Sequence, residues 1–207
     1  FVSAANGEIK PRPEVQELVE AGLTVAGVDL LFQGEFLADG KQVTRTRRVN
    51  NPREAAAYTF GYNHSLFAQR VHDLLTLTRH LKNQGAVKLG MAGLDGAGPW
   101  VAAAVAQSSG AIQFAAVDTG GFRFGKVLDL QHVDFLPGGA KYGDLPGMLA
   151  IAPPTKLWVA GETDESLSLA RRQFVAAGHP DGLLRWEGTG AEVRRAAVRW
   201  LIDQVGL

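Results

Sequence analysis

The clearest chemical signal in the chain is the stretch Gly93-Leu94-Asp95-Gly96-Ala97-Gly98. An apolar segment, Ala86–Ala92, runs straight into it, and a small-residue helix opened by proline is expected over Pro99–Gln107. The pattern is small-x-acid-x-small-small at a strand-to-helix corner, the layout of a nucleophile elbow. Positions 93 and 97 are small because strand and helix nearly touch there. The central side chain is thrust over the sheet edge toward the positive end of the helix, which favours an anion. A carboxylate so placed can attack an electrophilic carbon, and the Gly96 N–H would face a developing oxyanion. Two other uses of Asp95 stand beside this one. It can be an acid bonded to neighbouring N–H groups in a retained turn, or a ligand for a hard cation.

A nucleophile needs an orienting acid and a base. Carboxylates stand just past the carboxyl ends of two expected strands, Glu162 and Asp164 after Thr155–Ala160 and Asp118 after Ala111–Val117. Five histidines are available as bases. His72 and His80 fall on the polar face of a long helix and read as solvated. His179 precedes Pro180 at the wrong end of its strand, and His132 lies beside Asp134 in a long connection. His64 opens the long helix just after Tyr62-Asn63 and is the base that best fits. None has a spacing that identifies a general base. Asp29, Asp95, Asp118 and Asp164 all fall near carboxyl ends of expected strands, and converging carboxylates need a hard cation or a shared proton. That arrangement would suit a metal-assisted hydrolase. No metal-ligand motif of diagnostic spacing is present, and there is neither a phosphate loop nor a full dinucleotide fingerprint. No cofactor and no resident metal are therefore expected.

Alternating signals supply the elements that position these groups. Helices are expected at Pro13–Gly22, His64–Asn83, Pro99–Gln107, Ser166–Ala177 and Ala191–Val205, from apolar residues at three- and four-residue spacing. Strands are expected at Leu23–Phe32, Ala86–Ala92, Ala111–Val117, Thr155–Ala160 and Leu183–Trp186. Strands alternating with helices imply right-handed crossovers and a mostly parallel twisted sheet covered by helices on both faces, an α/β class. Chemistry is then expected at the carboxyl ends of the strands. Residues 119–153 hold few periodic signals, and so long a connection suggests a lid-like loop. Its Phe122, Phe124, Phe135 and Tyr142 would wall an apolar acyl or sugar pocket, or else pack the loop onto the sheet. The basic stretch Arg45, Arg47, Arg48 reads as a solvated loop.

Composition narrows the classes. The chain has 207 residues, 46% hydrophobic and 20% charged, enough for one domain with a real core. Lys+Arg and Asp+Glu number 21 each, so no summed positive field favours nucleic acid. No apolar run reaches the ~18 residues of a membrane span. Cysteine is absent, which excludes disulfides and thiolate nucleophiles and leaves the compartment open. No signal peptide is read after Phe1.

The chain resembles the α/β-hydrolase superfamily, and within it bacterial acetylxylan-esterase-like and dienelactone-hydrolase-like proteins. The likeness covers most of residues 1–207 as a single domain. It rests on GLDGAGPW at 93–100, YNHSLFAQRVHDLL at 62–75, FLPGGAKYGDLPGMLA at 135–150 and GETDE at 161–165. It implies a small carboxylic ester, such as an acylated carbohydrate, as ligand. Asp95 would take the nucleophile position, Asp164 or Glu162 the acid position with Asp118 a further candidate, and Gly96 one oxyanion donor. Residues 1–5 would be the tail of a third strand, placing Ser3–Glu8, with Ala5, where the family has its second oxyanion N–H. Two departures stand out: the elbow residue is an aspartate, and the loop after the last strand, residues 186–192, has no histidine. The alternative to an esterase-like hydrolase is thus a catalytically silent domain, a binding or structural part of a larger protein. Reduced early strands would also leave an open sheet edge, met by a homodimer or by an N-terminal segment.

Overall fold

The computed structural model describes residues 2–5, 8–34, 37, 41, 43–46 and 59–206. A hairpin opens it: β1 (Val2–Ala5) pairs antiparallel with β2 (Glu8–Pro11), in a two-stranded sheet of its own. Helix α1 (Pro13–Glu20) follows, with proline at its first turn. Next come α2 (Leu66–Asn83), β3 (Gly90–Gly93), α3 (Gly98–Gln107), β4 (Phe114–Asp118), α4 (Asp144–Ala150), β5 (Lys156–Ala160), α5 (Ser168–Ala176), β6 (Leu183–Trp186) and α6 (Ala191–Val205).

Strands β3, β4, β5 and β6 form one parallel sheet in their order along the chain. Right-handed crossovers between successive neighbours send every connecting helix to the same face. The side chains record this by alternation. Ala115, Val117, Leu157 and Val159 bury one face against α2, α3, α4 and α5, through Phe67, Val71, Val101, Leu145, Leu149 and Phe174. Phe114, Ala116, Trp158 and Ala160 bury the other face against α6, through Val193, Ala197 and Leu201, with Leu18 of α1 beside them. The expected class, a twisted parallel sheet with helices around it, is what the chain forms.

Three expectations are corrected. Leu23–Phe32 forms no strand. Leu30 alone in this run is buried, and the backbone of Leu31 is held by α2: its N–H donates to Asp73 Oδ2 at 3.0 Å and its carbonyl accepts from Arg70 Nε at 3.1 Å. A side-chain cradle replaces the ladder that two-face burial would require. Residues 2–5, expected as part of the tail of a third strand, are no tail of a parallel strand, because β1 pairs antiparallel with β2, and residue 1 lies outside the described residues. Residues 119–153 are not structureless: a 3-10 turn at Phe124–Lys126 and α4 interrupt them, and Leu145 and Leu149 of α4 are fully buried. Of the basic stretch, Arg45 bonds Asp129, while Arg47 and Arg48 lie outside the described residues.

Candidate functional site

β3 ends at Gly93 and α3 starts at Gly98, so residues 94–97 turn the chain at the carboxyl edge of the sheet. Asp95 stands there with φ 52°, the left-handed region that non-glycine residues seldom adopt. Such strain persists only where the surroundings impose it. The surroundings are close: a Cβ on Gly93 would sit 2.7 Å from Val101 Cγ2 and 2.8 Å from the Ala97 carbonyl oxygen. On Gly98 it would run into the Asp118 carbonyl at the end of β4. Strand, turn and helix thus pack as tightly as the small-residue pattern implies.

The carboxylate of Asp95 is held by two guanidiniums. Arg12 Nη1 donates to Oδ2 at 3.0 Å and Arg194 Nη1 to Oδ1 at 3.0 Å. Arg194 also donates through Nε to Glu14 Oε1 at 3.0 Å, closing a row Arg12–Asp95–Arg194–Glu14 across α1, the turn and α6. Its guanidinium pKa is raised above the ordinary value, first by the hydrogen bond to Asp95. The site is nearly half open to solvent, the Asp95 side chain being 45% exposed.

The expected partners are not gathered around this carboxylate. His64 is exposed, immediately before Ser65, which caps α2 by accepting the Ala68 N–H at 3.3 Å. The His64 carbonyl accepts from Gln69 Nε2. Asp164 is 65% exposed and bonds Arg171 and Arg185 at 2.9 and 3.0 Å. These cations, Arg171 first, hold its carboxyl below the usual carboxylate range. His132 Nδ1 accepts the Asp134 N–H at 3.1 Å. Gly96 follows Asp95 at φ 94°, in an open turn. Ala5 belongs to the separate hairpin, opposite Glu8. Among the described residues no three His, Cys, Asp or Glu side chains group as a metal site.

The buried acid at the edge is Glu162, just beyond β5. Its side chain is fully buried and accepts Arg123 Nη1 at 2.8 Å and Nη2 at 2.6 Å. The Thr119 and Ser166 hydroxyls lie 2.8 and 2.6 Å from its oxygens. The hydrogen bond from Arg123 to Glu162, foremost among the causes, raises the Arg123 pKa. Every contact is internal, so this is the brace that pins residues 119–123 to the end of β5. A second brace is Asp144, whose carboxylate accepts the N–H groups of Phe124, Gly125 and Leu145 at 2.7–2.9 Å.

The aromatic residues divide. Phe124 is buried and meets Phe67 and Phe122 edge-on, with ring centroids 5.0 and 4.9 Å apart. They pack the connection onto the core. Tyr142 is 82% exposed, with Lys141 over its ring. A groove of about 790 Å³ runs between α2, α3 and α4, lined by Phe67, Val71, Ala103, Met148 and the rims His64 and His72. Neither Asp95 nor its two arginines line it.

Sequence reasoning missed Arg12 and Arg194. Arg194 directly follows the buried Val193 in α6, and nothing in its sequence neighbours marks it apart from any solvated arginine. No protein-family model matches the chain, and no curated protein or solved structure matches it.

Proposed function

We propose that the chain is a hydrolase-like α/β domain without acyl-transfer activity, a binding or structural module built on a degenerate elbow. The observation that carries this reading is the pairing of both Asp95 oxygens with Arg12 and Arg194. A carboxylate held by two cations is a poor nucleophile, because its lone pairs are engaged and its charge is compensated. Release of an ester intermediate would also need a base to activate water. No histidine is among the hydrogen-bond partners of Asp95 in the described residues. What the row does instead is mechanical. It fastens the segment before α1 and the first turn of α6 to the corner after β3.

A second reading, hydrolysis of a small carboxylic ester such as an acylated carbohydrate, draws support from the strained φ of Asp95. That strain is the hallmark of a side chain displayed at a sheet edge for attack. One assay separates the two. With p-nitrophenyl acetate and an acetylated xylose, the module should show no turnover above the buffer rate, and Asp95→Ala should be indistinguishable from the parent. Turnover that disappears in Asp95→Ala would establish the hydrolase and remove the first reading.

A further inference from the structure

Among the described residues the sheet ends at β6, with no strand on its outer edge. In the ladder with β5, the Leu157 N–H donates to the Gly182 carbonyl at 2.7 Å, and Leu157 pairs with Leu183. Backbone groups alternate along a strand. The even positions of β6 therefore face β5, while Leu183 and Arg185 turn theirs outward, as Glu187, the first residue past the strand, would if pairing carried the strand one residue further. On the face that α6 covers over β4 and β5, β6 is left partly bare. Leu184 is 46% and Trp186 36% exposed, although Trp158, one strand inward, is 1% exposed. The Trp186 ring stacks on that of Trp158, with centroids 5.9 Å apart. The opposite edge, β3, has less to give: Met91 and Ala92 already pack against the two cores.

Charge decides what would fit the β6 edge. Arg185 bonds Glu187 within its own chain, and Asp164 at 3.0 Å. The order Arg185-Trp186-Glu187 is complementary to itself when reversed. Laid antiparallel on a second copy about a two-fold at Trp186, each Arg185 faces the other copy's Glu187. The same register makes Trp186 a non-hydrogen-bonded pair with its counterpart, the closer kind, at about 4.5 Å between Cα atoms. With the strand carried on through Glu187, it also sets the N–H and C=O groups of Arg185 and Glu187 to exchange ladder bonds. Opposite charges and paired aromatics directly across a ladder are its stabilising contacts.

We propose that the chain forms a two-fold dimer by antiparallel pairing of β6 edges centred on Trp186, joining two sheets into one. The occupant is a second copy because the edge is its own complement in charge and in apolar surface. This stands apart from the reading of the elbow, which lies at the end of β3 on the far side of the sheet.

Sedimentation of the full chain tests it. The parent should run as a dimer. Glu187→Arg sets arginine against Arg185 of the other copy, and Arg185→Glu sets glutamate against Glu187, so each alone should run as a monomer. Mixed in equal amounts, the two variants present complementary edges and should recover the dimer. If Arg185→Glu fails to fold by circular dichroism, the exposed-site variant Trp186→Lys takes its place and should be a folded monomer. A monomeric parent, a dimer that survives Glu187→Arg, or folded variants that stay monomeric when mixed would each overturn the proposal.

Discussion

Arg194 Nη1 lies 3.0 Å from Asp95 Oδ1, so the final helix is tied to the corner that follows the first strand of the main sheet. The two residues are 99 positions apart. A contact of that span is made only once the sheet is assembled, and it joins the face covered by α6 to the carboxyl edge. Arg12 completes the hold from the other end of the chain, on the second carboxylate oxygen.

The pairs and the strain at Asp95 act in opposite directions, and three variants separate them. Both ion pairs are substantially exposed, at 42%/45% and 29%/45% for their side chains. Each is then worth about 0–1 kcal/mol. The positive φ costs a non-glycine residue about 1 kcal/mol, which glycine does not incur. Asp95→Gly should therefore stay within about 1 kcal/mol of the parent in urea denaturation. Asp95→Ala, losing the same pairs and keeping the strain, should fall about 1 kcal/mol below Asp95→Gly. Asp95→Asn, whose side chain tolerates the left-handed region, should lie between them. Equal midpoints for alanine and glycine would mean the backbone at 95 relaxes freely.

The two glycines that follow Asp95, Gly96 and Gly98, carry different demands. A Cβ on Gly96 meets nothing within 4 Å, but φ is 94° there, so Gly96→Ala pays for conformation alone, about 1 kcal/mol. Gly98 has an ordinary helical φ, yet its Cβ would collide with the Asp118 carbonyl and press the Thr119 nitrogen. Backbone cannot swing aside as a flexible side chain does. Gly98→Ala should cost about 3 kcal/mol or more, with the Tm dropping well below that of Gly96→Ala. Similar losses for both would show that β4 moves to accommodate the methyl group.

The sequence announces what local periodicity controls. Leu183–Trp186 and Ala191–Val205 agree with β6 and α6 residue for residue, because an apolar stripe at the right spacing needs no knowledge of its partner. Leu23–Phe32 misleads for the opposite reason. A continuous apolar run is read as a strand buried on both faces, yet its backbone is claimed by Arg70 and Asp73 of α2, which no local pattern records. Helix α4 is hidden by Pro146 and Gly147, and its start depends on Asp144 binding N–H groups from residues 124 and 125. At the elbow the small residues and the acid are legible. The arginines that define the chemistry are not, since their positions relative to Asp95 exist only in three dimensions.

Glu162 and Arg123 should behave as a unit. The carboxylate is fully buried and the guanidinium side chain 23% exposed. Removing one partner strands the other, at a cost of about 3–5 kcal/mol for a buried pair, and about 2–3 kcal/mol here because Arg123 keeps some contact with water. Arg123→Met leaves a buried charge with only hydroxyl donors, so it should be at least as costly as Glu162→Gln. The double variant should cost less than the two singles added, with a coupling of about 1–3 kcal/mol in a double-mutant cycle. Strict additivity would show that residues 119–123 are held by packing of Phe122 and Phe124 rather than by the brace.

Arg171, and after it Arg185, hold the Asp164 carboxyl below its ordinary range. A folded-state pKa below the unfolded one means that the charged form stabilises the fold at every pH above the unfolded value, about 3.9. The contribution is lost as pH falls through the depressed folded value, where the carboxyl takes up its proton. Asp164→Asn should therefore be less stable than the parent at neutral pH, and the gap in urea midpoint should close as pH falls through the depressed folded value. Because Asp164 is 65% exposed, added salt should narrow the neutral-pH gap as well. A gap that neither acid nor salt alters would assign the loss to packing of the α5 turn, and would leave Arg185 free to serve Glu187 alone.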